Sequence, residues 1–259
     1  MTGVIAGLSD LLGLAQGIAW AAALAFIRIG AMVALMPGLG DSSVPQRVKL
    51  ALVVAFTLVV APVLADRIGP AAAPSFLALG GEAVAGLLLG IGMRLFVVAL
   101  QTAAAMIAQA TTLSQLFAGI APEPQPAIGN LFVMAGVALA MAAGLHVRAA
   151  ELLLLSYDLL PAGAALSSAA AADWGLDLMG RTFALAFSLA APFVIASLIY
   201  NLALGAINRA MPALMVSMVG APALTLGALA LMAVATPVIL AAWLDAFSGH
   251  MAEPFAARP

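Results

Sequence analysis

Any chemistry in this chain has to come from a few charged side chains set into apolar sequence. Arg28 lies nine positions before Pro37 in one such run, about 13 Å along a helix at 1.5 Å per residue. An arginine turned toward lipid costs about 2.5–3.5 kcal/mol on insertion scales. Arg28 is therefore expected to turn inward onto a partner helix, with snorkelling to an interface as the alternative. Glu82 and Arg94 look like an ion pair within one apolar run. They are twelve residues apart, about 18 Å along the axis, and only residues three or four apart are neighbours on a helix. Each must find another partner. Glu82 could also simply favour the positive N-terminal end of its own helix.

His146, Arg148 and Glu151 form a small polar set. Such a set could relay protons, but a helix break at a water interface is the preferred reading. Asp158, Asp173 and Asp177 flank the stretch from Pro161 to Trp174, which reads as an aqueous loop without the converging ligands that a metal requires. There are two histidines and no cysteine, and no H-E-x-x-H, G-x-S-x-G or P-loop pattern. Disulfides, thiolate metal sites and cysteine nucleophiles are excluded. No catalytic, cofactor-binding or metal residue is expected, and with no nucleotide motif, energy must come from a partner or a membrane gradient.

The elements that position these residues are apolar helices. The 259 residues are 65% hydrophobic and 8% charged, with mean hydropathy +1.19. A soluble domain carries far more charge, so the chain reads as an all-α integral membrane protein forming one membrane-embedded domain over residues 1–259. A formal net charge of −2 without a basic patch argues against nucleic acid. Six apolar segments are expected: Leu11 to Met36, Arg47 to Leu64, Phe76 to beyond Gln109, Ile128 to about Leu160 with an interruption near Gly144, Thr182 to Asn208, and Ala210 to Leu244. The first lacks a basic n-region before it and reads as a retained helix with a loose start over Thr2 to Asp10. Pro192 and Pro222 are expected to kink the last two. Gly81-x-x-x-Ala85, Gly86-x-x-x-Gly90 and Gly136-x-x-x-Ala140 are candidates for close helix contacts. Basic residues fall on both sides of a six-span alternation, so sidedness is not readable.

One ordered series of motifs runs through this pattern. It comprises Arg28 with Pro37, then Val44-Pro45-Gln46-Arg47-Val48-Lys49, then Glu82-x-x-x-Gly86-x-x-x-Gly90. His146 and Pro161-Ala162-Gly163 follow, then Asn201-Leu202-Ala203-Leu204-Gly205, Asn208-Arg209, Pro212 and Gly220-Ala221-Pro222. In order and spacing the series resembles the FliR family of flagellar type III export-gate proteins and their injectisome counterparts. The resemblance covers about Arg28 to Pro237.

The resemblance implies a fold of kinked helical hairpins like a fusion of two companion membrane proteins, FliP and FliQ. It implies a structural subunit of the bacterial inner membrane at the flagellar basal body. There the chain would assemble with FliP- and FliQ-like subunits and an FlhB-like protein, in contact with membrane lipid, to pass unfolded flagellar subunits. It also places the segment Gln109 to Ile120 inside the channel, where Leu116, Phe117 and Ile120 would seal the resting gate and Gly119 would let it bend aside. Contacts within the assembly are expected at Arg28, Arg47, Glu82, Arg94, Asn201, Asn208 and Arg209. The competing readings are a stand-alone secondary transporter or channel, an injectisome gate subunit and an intramembrane hydrolase. The chain lacks the paired repeat of the transporter and the nucleophile and base of the hydrolase.

Overall fold

Long runs of Ala, Leu, Val and Ile punctuated by Gly and Pro fold here into helices. The computed structural model describes residues 2–68, 75–111, 127–163, 167–210 and 216–255. Every regular element among them is α-helical: α1 (Thr2–Leu35), α2 (Gln46–Ile68), α3 (Phe76–Thr111), α4 (Ala127–Ala142), α5 (Leu145–Leu159), α6 (Ser168–Ala210) and α7 (Val216–Ala252). Among the described residues five helices are long and apolar enough to cross a membrane, or six if α4 and α5 count as one broken span.

That break is bent by 72°, and it falls where the sequence interrupts the fourth segment. Gly144 adopts φ 83 there, a left-handed conformation that costs glycine little. Two expectations need correction. Residues 2–10 are helical and not a loose start. The supposed loop before Trp174 is helical from Ser168 onward, so Asp173 and Asp177 lie on α6. The reason is local. An alanine run has the best intrinsic helix propensity, and Ser167 caps it, its Oγ accepting from the Ala170 N–H at 3.4 Å. α6 also continues as one helix through Pro192.

The chain divides into two compact units. The first comprises Met1–Arg94, Met141–Asp177 and Gly249–Pro259. In it α1 buries Ala21, Leu24, Ala25, Ile29 and Met32, a stripe at three- and four-residue spacing. α2 packs on α1, with Val53 facing Gly30. α3 lies against another side of α1 through glycines. A Cβ on Gly86 would run into the Arg28 carbonyl, and one on Gly90 would come within 2.8 Å of the Leu35 Cβ. The sequence motif Gly86-x-x-x-Gly90 is thus a close backbone contact. Nearer the chain end, the Trp174 indole donates to the Pro254 carbonyl at 2.8 Å.

The second unit comprises Leu95–Ala140 and Leu178–Ser248. Its centre is aromatic. Trp243 stacks on Phe247 with ring centres 5.2 Å apart, and Phe96 meets Phe247 edge-on at 5.7 Å. The Trp243 indole N–H, buried with the ring, donates to the Phe96 carbonyl at 2.8 Å. Gly136 lies against Leu100 and Trp243, so a second small-residue motif also marks a helix contact.

Candidate functional site

The site is a buried ion pair in the first unit, assembled from three helices and a turn. On α3, Glu82, Gly86 and Gly90 fall four residues apart and share one face. The glycines let that face settle onto α1, and the carboxylate then reaches Arg28. The Arg28 Nε donates to Glu82 Oε2 at 2.7 Å, and its Nη2 donates to Oε1 at 3.1 Å. Both residues are 1% exposed.

α5 and the turn after it complete the shell. Arg28 Nη1 donates to Ser156 Oγ at 3.0 Å, and Nη2 also donates to the Leu160 carbonyl at 2.9 Å. Ser156 can accept because its own hydroxyl donates to the Leu153 carbonyl at 2.6 Å. The guanidinium carbon sits 3.7 Å from the centre of the Tyr157 ring, a cation–π contact. On the acid side, Glu82 accepts from the Tyr157 hydroxyl at 3.3 Å and from the Gly163 N–H at 2.9 Å. Gly163 presents that N–H from a turn with φ 75, a conformation that side chains other than glycine rarely adopt.

Physically this arrangement is a clasp. Burying two charges is costly unless geometry and further hydrogen bonds satisfy them. Here four of the five guanidinium N–H groups are engaged and each carboxylate oxygen accepts twice. The carboxylate lone pairs are thereby filled by donors. The cluster is thus suited to locking α1, α3 and α5 together and poorly suited to moving a proton.

The other expected residues are placed as follows. Arg94 also finds a partner away from Glu82: its Nη1 donates to Asp41 Oδ1 at 2.8 Å, with both side chains partly exposed. Arg47 is exposed at the start of α2. Asn201 is exposed on α6 and donates to Ser197 Oγ one turn earlier at 3.2 Å. Asn208 and Arg209 are exposed in the last turn of α6. His146 is exposed in the first turn of α5, beside the break. Leu116, Phe117, Gly119 and Ile120 lie outside the described residues, as does Pro212. Ser156, Tyr157 and Asp41 were not anticipated. Ser156 lies 128 residues from Arg28, and only the Pro161-Ala162-Gly163 turn hinted that this region mattered.

The motif residues that build this clasp lie within a stretch, residues 19–250, that matches the sequence model described as bacterial export proteins, family 1. The chain belongs to that family, the FliR family. It is 35% identical over 240 residues to a flagellar biosynthetic protein FliR of Caulobacter vibrioides, covering 88% of this chain and 93% of that protein. It is 30% identical over 221 residues to a flagellar biosynthetic protein FliR of Escherichia coli, covering 82% and 83%. With five to six apolar helices of spanning length among the described residues, the chain is a multi-pass membrane protein of the export family.

Proposed function

We propose that this chain is a structural, non-enzymatic subunit of the flagellar type III protein export gate. In this reading it builds, with FliP- and FliQ-like subunits and beside an FlhB-like protein, the channel that passes unfolded flagellar subunits across the inner membrane. The carrying observation is family membership across residues 19–250, together with two relatives named as flagellar biosynthetic proteins.

The surface of α6 supports a role inside an assembly. Met179, Phe183, Phe187, Ile195, Leu198, Ile199, Leu202 and Ile207 are all exposed on it. From Met179 to Ile207 the helix rises about 42 Å, against a hydrocarbon core of about 30 Å. A tilt beyond the usual range of up to about 40° would be needed to sink that length wholly in lipid. Apolar subunits covering part of α6 remove the problem.

Within this reading Asn201, Asn208 and Arg209 contact a companion subunit, and the Leu116, Phe117, Gly119 and Ile120 segment is the seal. Deleting the gene should stop export of flagellar subunits while their synthesis continues, and the intact chain should restore export. Normal export in the deletion strain would refute the proposal.

A further inference from the structure

We propose that the turn between α1 and α2 is a binding site for the headgroup of an anionic phospholipid, with its acyl chains lying along α2 and α3. The turn is firmly built. Gly38 takes φ 76, and its N–H donates to Asp41 Oδ2 at 3.1 Å. Gly40 is pressed against the last carbonyls of α1, where a Cβ would come within 2.6 Å of the Val33 oxygen. Two cations from different helices converge on this Gly40-Asp41 pair. Lys49 Nζ donates to the Gly40 carbonyl at 2.7 Å, and Arg94 donates to Asp41 at 2.8 Å. Arg47 stands exposed one half-turn before Lys49. Lys49 and Arg94 thus close on a turn with one carboxylate, whose two oxygens are already engaged by Gly38 and Arg94, and Arg47 adds a third cation on the exposed face of α2 that leads away from it. The local excess of positive charge calls for an anion.

What lies beside the cations indicates the kind of anion. After Arg47 the exposed face of α2 carries Leu50, Val54 and Leu58. Before Arg94 the exposed face of α3 carries Val84, Leu87 and Ile91. Gly86 sits against Arg28 and Ala31, and Gly90 against Met32 and Leu35, so α3 runs parallel to α1. α2 returns antiparallel to α1 after the turn, with Val53 against Gly30. Both apolar stripes therefore run away from the turn in the same direction. From Arg47 to Leu58 the rise is about 16 Å, close to half of a hydrocarbon core of about 30 Å. A cationic cap over an apolar stripe one leaflet deep suits a phosphate headgroup with acyl chains. An acidic segment of a protein would have no use for the stripes. Basic pockets between membrane helices recognise anionic lipid in this way.

The test uses the full-length protein purified in mild detergent. It is exchanged into equal amounts of phosphatidylglycerol and phosphatidylcholine with matched chains, and retained lipid is counted by native mass spectrometry. The wild type should retain phosphatidylglycerol with a preference of about tenfold. The double variant Arg47→Gln, Lys49→Gln should fall below about twofold, a loss of the two side-chain charges that attract the headgroup. Lys49→Arg should keep the preference, and so should Arg148→Gln, which changes a cation elsewhere. Size-exclusion profiles matching the wild type show that the variants are folded. Equal retention of the two lipids by the wild type overturns the proposal, as does an undiminished preference in the folded double variant. Displacement of bound lipid by millimolar inorganic phosphate would also overturn it, by reducing the site to one for free anions. Loss of a co-purifying acidic subunit from the double variant, with lipid retention unchanged, would assign the turn to a protein partner instead.

Discussion

Arg28 and Glu82 meet side-on, through two nitrogen–oxygen contacts of 2.7 and 3.1 Å, across 54 residues of sequence and inside an apolar interior. Removing one partner leaves the other charge buried alone, which typically costs about 3–5 kcal/mol. Arg28→Leu and Glu82→Leu should each sharply reduce the yield of folded chain in detergent and its incorporation into the export complex. The pair Arg28→Met with Glu82→Leu should recover more than half of that loss, because neither charge is then stranded. Normal complex yield and motility in Arg28→Leu would remove the clasp from the account of assembly.

Gly86 tests the approach that brings the pair together. An alanine methyl there would strike the Arg28 backbone carbonyl, which cannot swing aside. Gly86→Ala should lower thermal stability by the equivalent of about 1–3 kcal/mol, the usual cost of overpacking. Gly205 on α6 has nothing within 4 Å of its Cβ position. Gly205→Ala should be neutral or gain about 0.5–1 kcal/mol from helix propensity. Equal melting shifts in the two variants would count against the close α1–α3 contact.

The sequence made the helices legible because long apolar runs bounded by Gly and Pro leave little choice. It also showed that Glu82 and Arg94 could not pair, since helix geometry alone separates them. It could not show that Arg28 was the partner of Glu82, or Asp41 that of Arg94. Both pairings depend on which faces of α1 and α3 meet, and hydropathy is blind to that. Ser156 and Tyr157 were hidden for a related reason. Among the residues of α5 only their positions facing Arg28 distinguish them. The start of α6 was misread because an alanine run without large apolar residues lacks the periodic signal of a buried helix, although its propensity is high.

Arg209, exposed in the last turn of α6, is expected to contact a companion subunit. Arg209→Glu should impair assembly, measured as the amount of FliP-like protein recovered with the tagged chain. A variant that assembles fully yet exports nothing would move Arg209 from the subunit contact to the transport path.

In the proposed reading the seal is expected in the stretch that begins at the end of α3. Its sequence is polar over Gln109 to Thr112, then bulky and apolar at Leu116, Phe117 and Ile120, and a hydrophobic constriction can gate by dewetting. Deleting Leu113 to Gly119 should let small ions or dyes leak across the inner membrane while the complex still assembles. An assembled deletion complex as tight as the parent would place the seal in another subunit.

The central claim is that this chain functions as one part of a mixed membrane assembly. Purifying the tagged full-length chain from its native membrane in mild detergent, and identifying every protein in the particle by mass spectrometry, tests it most directly. The account predicts a particle in which the chain is joined by FliP- and FliQ-like subunits. A well-behaved monomer, or a symmetric oligomer of this chain alone, would contradict it and favour a stand-alone transporter.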